Sequence, residues 1–288
     1  MTMNKLLILL LCFIQVSCVK NQKLKMIKSY TVITNNSIEP SGLTLWDGEF
    51  YTVSDKHNNI FQLQFLEDKV YLKPIIEFTQ LEDSMDFEGI THDDDFFYLI
   101  SENSLKILKV SRNGDYQQWL PLTNNTLEVC KQAGLCQLEN AYIEGICILD
   151  NDHFLLAAER QPRGFIEIQI NGDFIKAYQK NSAFFKYKKN RLPDFAGLSC
   201  ADGVYVLDRN AYKVAKLDKN NNEYEESRGY SYQHIIEQSE LIYKDMEFGQ
   251  AEGLVVNGNY VYIILDNNRK FYKSETNGNN SLFLKLKK

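Results

Sequence analysis

Apolar residues in this chain come in short runs, and the runs recur in phase. Five segments share one opening: Pro40-Ser41-Gly42-Leu43, Phe87-Glu88-Gly89-Ile90, Ile143-Glu144-Gly145-Ile146, Phe195-Ala196-Gly197-Leu198 and Ala251-Glu252-Gly253-Leu254. Their glycines stand 47, 56, 52 and 56 residues apart. Each opening leads through an apolar run to a turn: Asp47-Gly48, Asp93-Asp94-Asp95, Asp150-Asn151-Asp152, Asp202-Gly203 or Asn257-Gly258. Such clusters are hairpin signals. A second apolar run follows and ends in an acid: Asp55, Glu102, Glu159, Asp208 or Asp266.

Beyond the acids the alternation is of period two, as in Ile60-Phe61-Gln62-Leu63-Gln64-Phe65 and Phe165-Ile166-Glu167-Ile168-Gln169-Ile170. Period two is the mark of strands. Only His234–Tyr243 reads as a helical insertion. Four strands per repeat of this length is a propeller blade, and a single blade cannot bury both of its faces. The pattern therefore predicts an all-β chain, a five-bladed β-propeller of four-stranded antiparallel blades, with six blades as the alternative. The 35 residues after Gly253 and the 24 from Cys18 to Ser41 together supply about one further repeat length. The strand near Tyr30-Thr31-Val32-Ile33 is thus expected to close the ring beside the last blade. Either it or Leu282-Phe283-Leu284 is the outermost strand. The expected domains are residues 1–17 as signal peptide, 18–27 as a short tether and 28–288 as one propeller.

The start of the chain carries an address. Lys5 precedes an apolar run, Leu6 to Ile14, that is short for a bilayer span, and Ser17 precedes Cys18. Val16-Ser17-Cys18 resembles a bacterial lipoprotein box with Cys18 as the lipidated residue, although Gln15 departs from that pattern. A plain cleaved signal and an uncleaved anchor are the alternatives. The expected location is the cell envelope, on the periplasmic face of the outer membrane, with the protein a monomer. In an oxidising compartment Cys130 and Cys136, in one loop, are candidates for a disulfide. Cys147 and Cys200, in apolar runs, read as buried core thiols.

Composition agrees with a strand-rich globular chain: 44% hydrophobic, with 17 Tyr and 17 Phe against 5 Pro. The net charge of −6 argues against nucleic acid as a partner. The in-phase sequences "SGL…SD", "FEGI…SEN", "EGI…AER", "AGL…LDRN" and "EGL…LDNN" resemble two related bacterial propeller families. These are the esterase-like phytase-domain family and the SdiA-regulated family. The likeness spans about residues 38–288, and Ser41 and Ala196 depart from it where other repeats carry Glu. It implies the propeller fold and a phytase- or esterase-like hydrolase as one possible activity.

Antiparallel pairing brings the end of each second strand beside the start of the first. Eleven acids should then crowd one mouth of the central channel. Glu88, Glu144 and Glu252 are the preferred metal ligands, followed by Glu102 and Glu159. Glu39, Asp55, Asp86, Asp194, Asp208 and Asp266 form a second rank. Crowded carboxylates raise one another's pKa unless neutralised. One neutraliser is a hard cation, Ca²⁺, which takes six to eight oxygens. The other is the set of bases Lys56, Arg160, Arg163, Arg209 and Arg269, which double as an anion-binding set. With Ca²⁺, Arg160 and Arg209 are candidates to stabilise a phosphoester under hydrolysis, and His57 is a candidate acid or base. Carboxylates that only cap backbone and pair with arginine would instead leave a binding module for a ligand or protein. Serine-esterase, zinc-protease, P-loop and dinucleotide motifs are missing. The basic run Lys186, Lys188, Lys189 and Arg191 reads as a solvated face that draws in anions.

Overall fold

The structure is a computed structural model. It describes residues 21–288 apart from 35–37, 80, 82–84, 103, 121–125, 140, 151–152, 161, 170, 172, 181–191, 193, 239–240, 242, 244–249 and 269–279. Cys18, the signal segment, Arg269 and the basic run at 186–191 lie outside the described residues. Among the described residues no helix is long and apolar enough to cross a membrane.

Two strands precede the first repeat, β1 (Asn21–Lys23) and β2 (Lys25–Ile33). The repeats then follow. The first is β3 (Pro40–Trp46), β4 (Glu49–Ser54), β5 (Asn59–Leu66) and β6 (Lys69–Glu77). Next come β7 (Phe87–His92), β8 (Phe96–Ser101), β9 (Lys106–Ser111) and β10 (Gln117–Trp119). A helix α1 (Thr126–Gln132) leads to β11 (Ile143–Asp150), β12 (His153–Ala158), β13 (Gly164–Gln169) and β14 (Phe174–Gln179). The fourth repeat holds β15 (Phe195–Ser199), β16 (Val204–Asp208), β17 (Lys213–Asn220) and β18 (Glu223–Ser231), then a short α2 (Gln233–Ile236). The last holds β19 (Ala251–Asn257), β20 (Tyr260–Leu265) and β21 (Leu282–Lys287).

Within each repeat the strands pair antiparallel in chain order. The last repeat contributes three strands, and β2 supplies its outer one by pairing antiparallel with β21. The N-terminal strand, not Leu282-Phe283-Leu284, is therefore outermost. Residues 21–27 are not a tether: β1 lies parallel on β18, and β2 begins at Lys25. α1 is a helix that the strand pattern did not predict. A Cys130–Cys136 disulfide ties the last turn of this helix to the segment that follows it.

The first strands of the repeats neighbour one another in a cycle: β3 beside β7, β7 beside β11, β11 beside β15, β15 beside β19, and β19 beside β3. Each pair of adjacent sheets encloses its own core, such as Trp46, Val53, Phe87, Phe97 and Leu99 between the first two repeats. Inner strands buried on both faces need continuous apolar runs, which is why β8 and β12 read that way. The repeat glycines are required by close approach. A Cβ on Gly253 would lie 2.6 Å from the backbone of Gly42, and one on Gly42 would lie 2.9 Å from Gly89 Cα. Gly145 and Gly197 meet their neighbours' backbone in the same way, at 3.1 and 3.0 Å.

Cys147 and Cys200 are not separate thiols. They form a disulfide, with Cα atoms 5.8 Å apart. Each stands just past its repeat glycine, Cys147 on β11 and Cys200 directly after the neighbouring β15, so the ring brings them together.

Candidate functional site

The acids before each glycine owe their position to a bulge. Strand register slips between Phe87 and Gly89, Ile143 and Gly145, Phe195 and Gly197, and Ala251 and Gly253. Glu88, Glu144, Ala196 and Glu252 are the extra residues. A bulge leaves its residue without a ladder partner and re-aims the side chain. Asp86 adds a second irregularity, a φ of +52°, which Asp tolerates better than most residues.

Ten of the eleven predicted acids gather at this mouth. Asp55 lies in the field of Glu39 and Asp86, Glu88 in that of Glu252, Asp86, Asp55 and Glu102, and Asp266 in that of Glu39 and Asp55. Glu102 faces Glu159, while Glu144 faces Glu159, Glu252 and Asp194.

The eleventh, Asp208, is elsewhere. Phe195 pairs with Asp208 where the other repeats pair Pro40 with Ser54, Phe87 with Ser101, Ile143 with Ala158 and Ala251 with Leu265. Asp208 thus holds the position before the mouth. Its carboxylate binds buried Arg163 and accepts the Ala211 N–H at 3.0 Å. Arg163 also reaches Glu226 at 3.0 Å and stacks on Phe195, and is only 2% exposed. Arg163 is therefore a structural partner between sheets and not an anion-binding group at the mouth.

Arg209 takes the mouth position instead. Its backbone N–H donates to Asp194 O, as Glu102 does to Asp86 O, Glu159 to Tyr142 O and Asp266 to Gln250 O. Its guanidinium sits among four carboxylates. Nε donates to Asp194 at 2.9 Å, Nη1 to both Glu252 oxygens at 2.6 Å, and Nη2 to Glu144 at 2.8 Å and Glu159 at 2.6 Å. A guanidinium has five N–H donors, so all are committed. The side chain expected to bind an anionic ligand or stabilise a reacting phosphate thus directs its donors at carboxylates. Arg160 pairs with Glu159 and lies 3.8 Å from Asp194. Lys56 pairs with Asp55 and with Glu39 at 3.4 Å. His57 is half-buried beside it.

The charges do not balance among the described residues: ten carboxylates face Lys56, Arg160 and Arg209. Burial drives up the pKa values of Asp55, Asp86, Glu88, Glu102, Glu144, Glu159, Glu252 and Asp266, and for most of them neighbouring carboxylates add to it. Glu102, Glu159, Glu252 and Asp266 are each pushed up to about 7. Arg209 opposes the rise at Glu159 and Glu252, and the Tyr142 N–H, donating at 2.7 Å, opposes it at Glu102. Glu88 and Glu144 lie well above the ordinary range, through burial first and the neighbouring carboxylates next.

Two sets could hold a cation. Asp55, Asp86 and Glu88 offer oxygens within 4.8 Å of one another, as do Glu144, Glu159 and Asp194. In the second set Glu144 Oε2, Glu159 Oε2 and Asp194 Oδ1 are buried and receive no hydrogen bond. Gln250, whose buried Oε1 is likewise unpartnered, was missed in the sequence. It occupies the repeat position of Asp86 and Asp194, which is the signal that could have found it.

Radially arranged four-stranded sheets around a channel with one acidic mouth define a β-propeller. Solved propeller-like structures agree. The chain matches Myxococcus xanthus glutaminyl cyclase with a TM-score of 0.59 and 13% identity, over 93% of this chain and 99% of that one. It matches the PQQ-bound aldose sugar dehydrogenase of Streptomyces coelicolor with a TM-score of 0.52 and 10% identity, over 92% and 98%. At these identities the likeness carries the fold alone. The SdiA-regulated family model matches residues 22–274, and the chain belongs to that family. No curated protein matches it.

Proposed function

We propose that the chain is a five-bladed envelope propeller, anchored by lipid on Cys18, whose acidic mouth binds Ca²⁺. Five blades are supported by the cycle of repeat glycines, in which Gly253 packs on Gly42. The cation is supported chiefly by one observation: Glu88 is enclosed among Asp86, Asp55, Glu102 and Glu252, whereas Arg209 serves the other side of the mouth. Asp55, Asp86 and Glu88 would hold it, with Glu102 nearby. All are hard oxygen donors, which suit Ca²⁺. Bound there, Ca²⁺ supplies positive charge and open coordination positions for an oxygen-bearing ligand. The binding-module reading is favoured over phosphoester hydrolysis, because the arginine best placed for a phosphate has its donors committed to carboxylates.

Calorimetric titration of chelator-treated protein tests this. Ca²⁺ should bind and raise stability by about 2.7 kcal/mol at a hundredfold excess over Kd. Glu88→Gln and Asp86→Asn should each weaken binding by at least about tenfold, roughly 1.4 kcal/mol. No heat and no melting shift at alkaline pH would end the cation reading. Anchoring is tested separately: Cys18→Ala should move the protein from the membrane fraction to the soluble or unprocessed pool. Unchanged fractionation would refute lipidation.

A further inference from the structure

The opposite end of the channel carries a second site, separate from the acidic mouth. Apolar residues one past each repeat glycine (Leu43, Ile90, Leu198 and Leu254 among them) narrow the waist to a space of about 10 Å³. Beyond it, where the inner strands end, a cavity of about 400 Å³ opens. That is within the range of small-molecule pockets, about 300–1,000 Å³. Cys147 and Cys200 both line this cavity, with Thr44, Thr91 and Ser199 around them. Thr91 and Ser199 accept backbone N–H groups of neighbouring strands, from Ile148 at 3.4 Å and Val256 at 2.9 Å, and each keeps a hydroxyl hydrogen to donate.

The two disulfides therefore differ in access. Cys130 and Cys136 are each 1% exposed and belong to a sealed core. Cys147 is equally covered, but Cys200 is half-buried at the cavity. Exchange rates depend on access to a sulfur as well as on the attacking thiolate. The Cys147–Cys200 bond also joins two adjacent inner strands, β11 and β15, whose own sheets are held independently by ladder hydrogen bonds. Opening it frees a tie between repeats without undoing a ladder.

We propose that this far mouth is a thiol-exchange site, at which a low-molecular-weight thiol is captured on Cys200. The incoming thiolate bonds to Cys200 Sγ and the Cys147–Cys200 bond breaks. Its electron pair goes to Cys147 Sγ, which then takes a proton from water. The product is a mixed disulfide on Cys200 and a free thiol on Cys147, with no net oxidation. The cavity gives the captured molecule room, and the Thr91 and Ser199 hydroxyls give its polar groups partners.

The probe is free cysteine, added to the native full-length protein in mildly alkaline buffer. Acid quenching, alkylation and peptide mass mapping then read each sulfur. The expected result is one cysteine on Cys200 and alkylated Cys147, with Cys130–Cys136 intact. Exchange at Cys147–Cys200 should be at least about tenfold faster than at Cys130–Cys136. In denaturant, where access is equal, the two disulfides should exchange at similar rates. Equal rates in the native protein, or no native exchange at Cys147–Cys200, would overturn the proposal. An adduct on Cys147 would overturn the assignment of Cys200 as the captured sulfur.

Discussion

Arg209→Met should destabilise the protein by about 3–5 kcal/mol at pH 8, the cost of leaving buried charges unpaired. Methionine keeps much of the side-chain volume, so the loss is electrostatic rather than a cavity. It removes hydrogen bonds to Asp194, Glu144, Glu159 and Glu252 at once. Arg209→Lys should recover only part of the loss, because one ammonium has three donors and cannot reach all four acids. The defect should shrink toward pH 5. There Glu159 and Glu252, with pKa values pushed up to about 7, take up protons and no longer need a cation. Urea unfolding of the three proteins at both pH values is the measurement. An equal defect at both pH values would mean that Arg209 acts through packing and not through charge.

That arginine also marks the limit of what the sequence made legible. The mouth acids Asp55, Glu102 and Asp266 each fall 13 residues after their glycines, and Glu159 falls 14 after its own. Asp208 falls 11 after Gly197, and Arg209 falls 12. Asp208 reads as the mouth residue because acids end the other runs. A shift of one residue along a strand turns a side chain to the other face, so Asp208 went to Arg163 and Arg209 took the mouth. The short Asp202-Gly203 hairpin hid the offset. The glycines and the acids preceding them were legible because each must satisfy a close approach or a bulge, which few residues allow. The Cys147–Cys200 pair was legible in principle, since the two stand two and three residues past successive glycines. Seeing it required placing the repeats side by side around the ring, not along the chain. α1 and β1 were not legible: each is short, and each is held by tertiary partners, a disulfide for one and β18 for the other.

Metal-free protein should lose stability as pH rises from about 5 to about 8, the reverse of ordinary acid denaturation. Glu102, Glu159, Glu252 and Asp266 are pushed up to about 7 in the folded state, above the ordinary 4.5 of Glu and 3.8 of Asp. Between those values and 7 the folded state binds more protons than the unfolded chain. Their contribution is therefore complete below about pH 4 and is lost as pH passes through 7. One such glutamate, raised from 4.5 to about 7, corresponds to roughly 3 kcal/mol. The four do not add, because each deprotonation makes the next harder. A total loss of at least about 3 kcal/mol is expected, which for a domain of this size lowers Tm by roughly 6–12 °C. Asp218 and Glu225 are shifted downward by local partners and act in the opposite sense, but both are exposed and contribute little. Ca²⁺ held by Asp55, Asp86 and Glu88 should offset part of the loss, because its charge lowers the cost of ionising the carboxyls around it, Glu102 first, and its effect should be large at pH 8 and small at pH 5. Glu88→Gln should flatten the metal-free profile, since it removes one acid from the crowded side, and should blunt the calcium response. Calorimetric melting across this range, with chelator and with Ca²⁺, reads all of these effects. Metal-free stability that rises from pH 5 to pH 8 would show that the mouth carboxylates are stabilised as anions by partners other than protons or a cation.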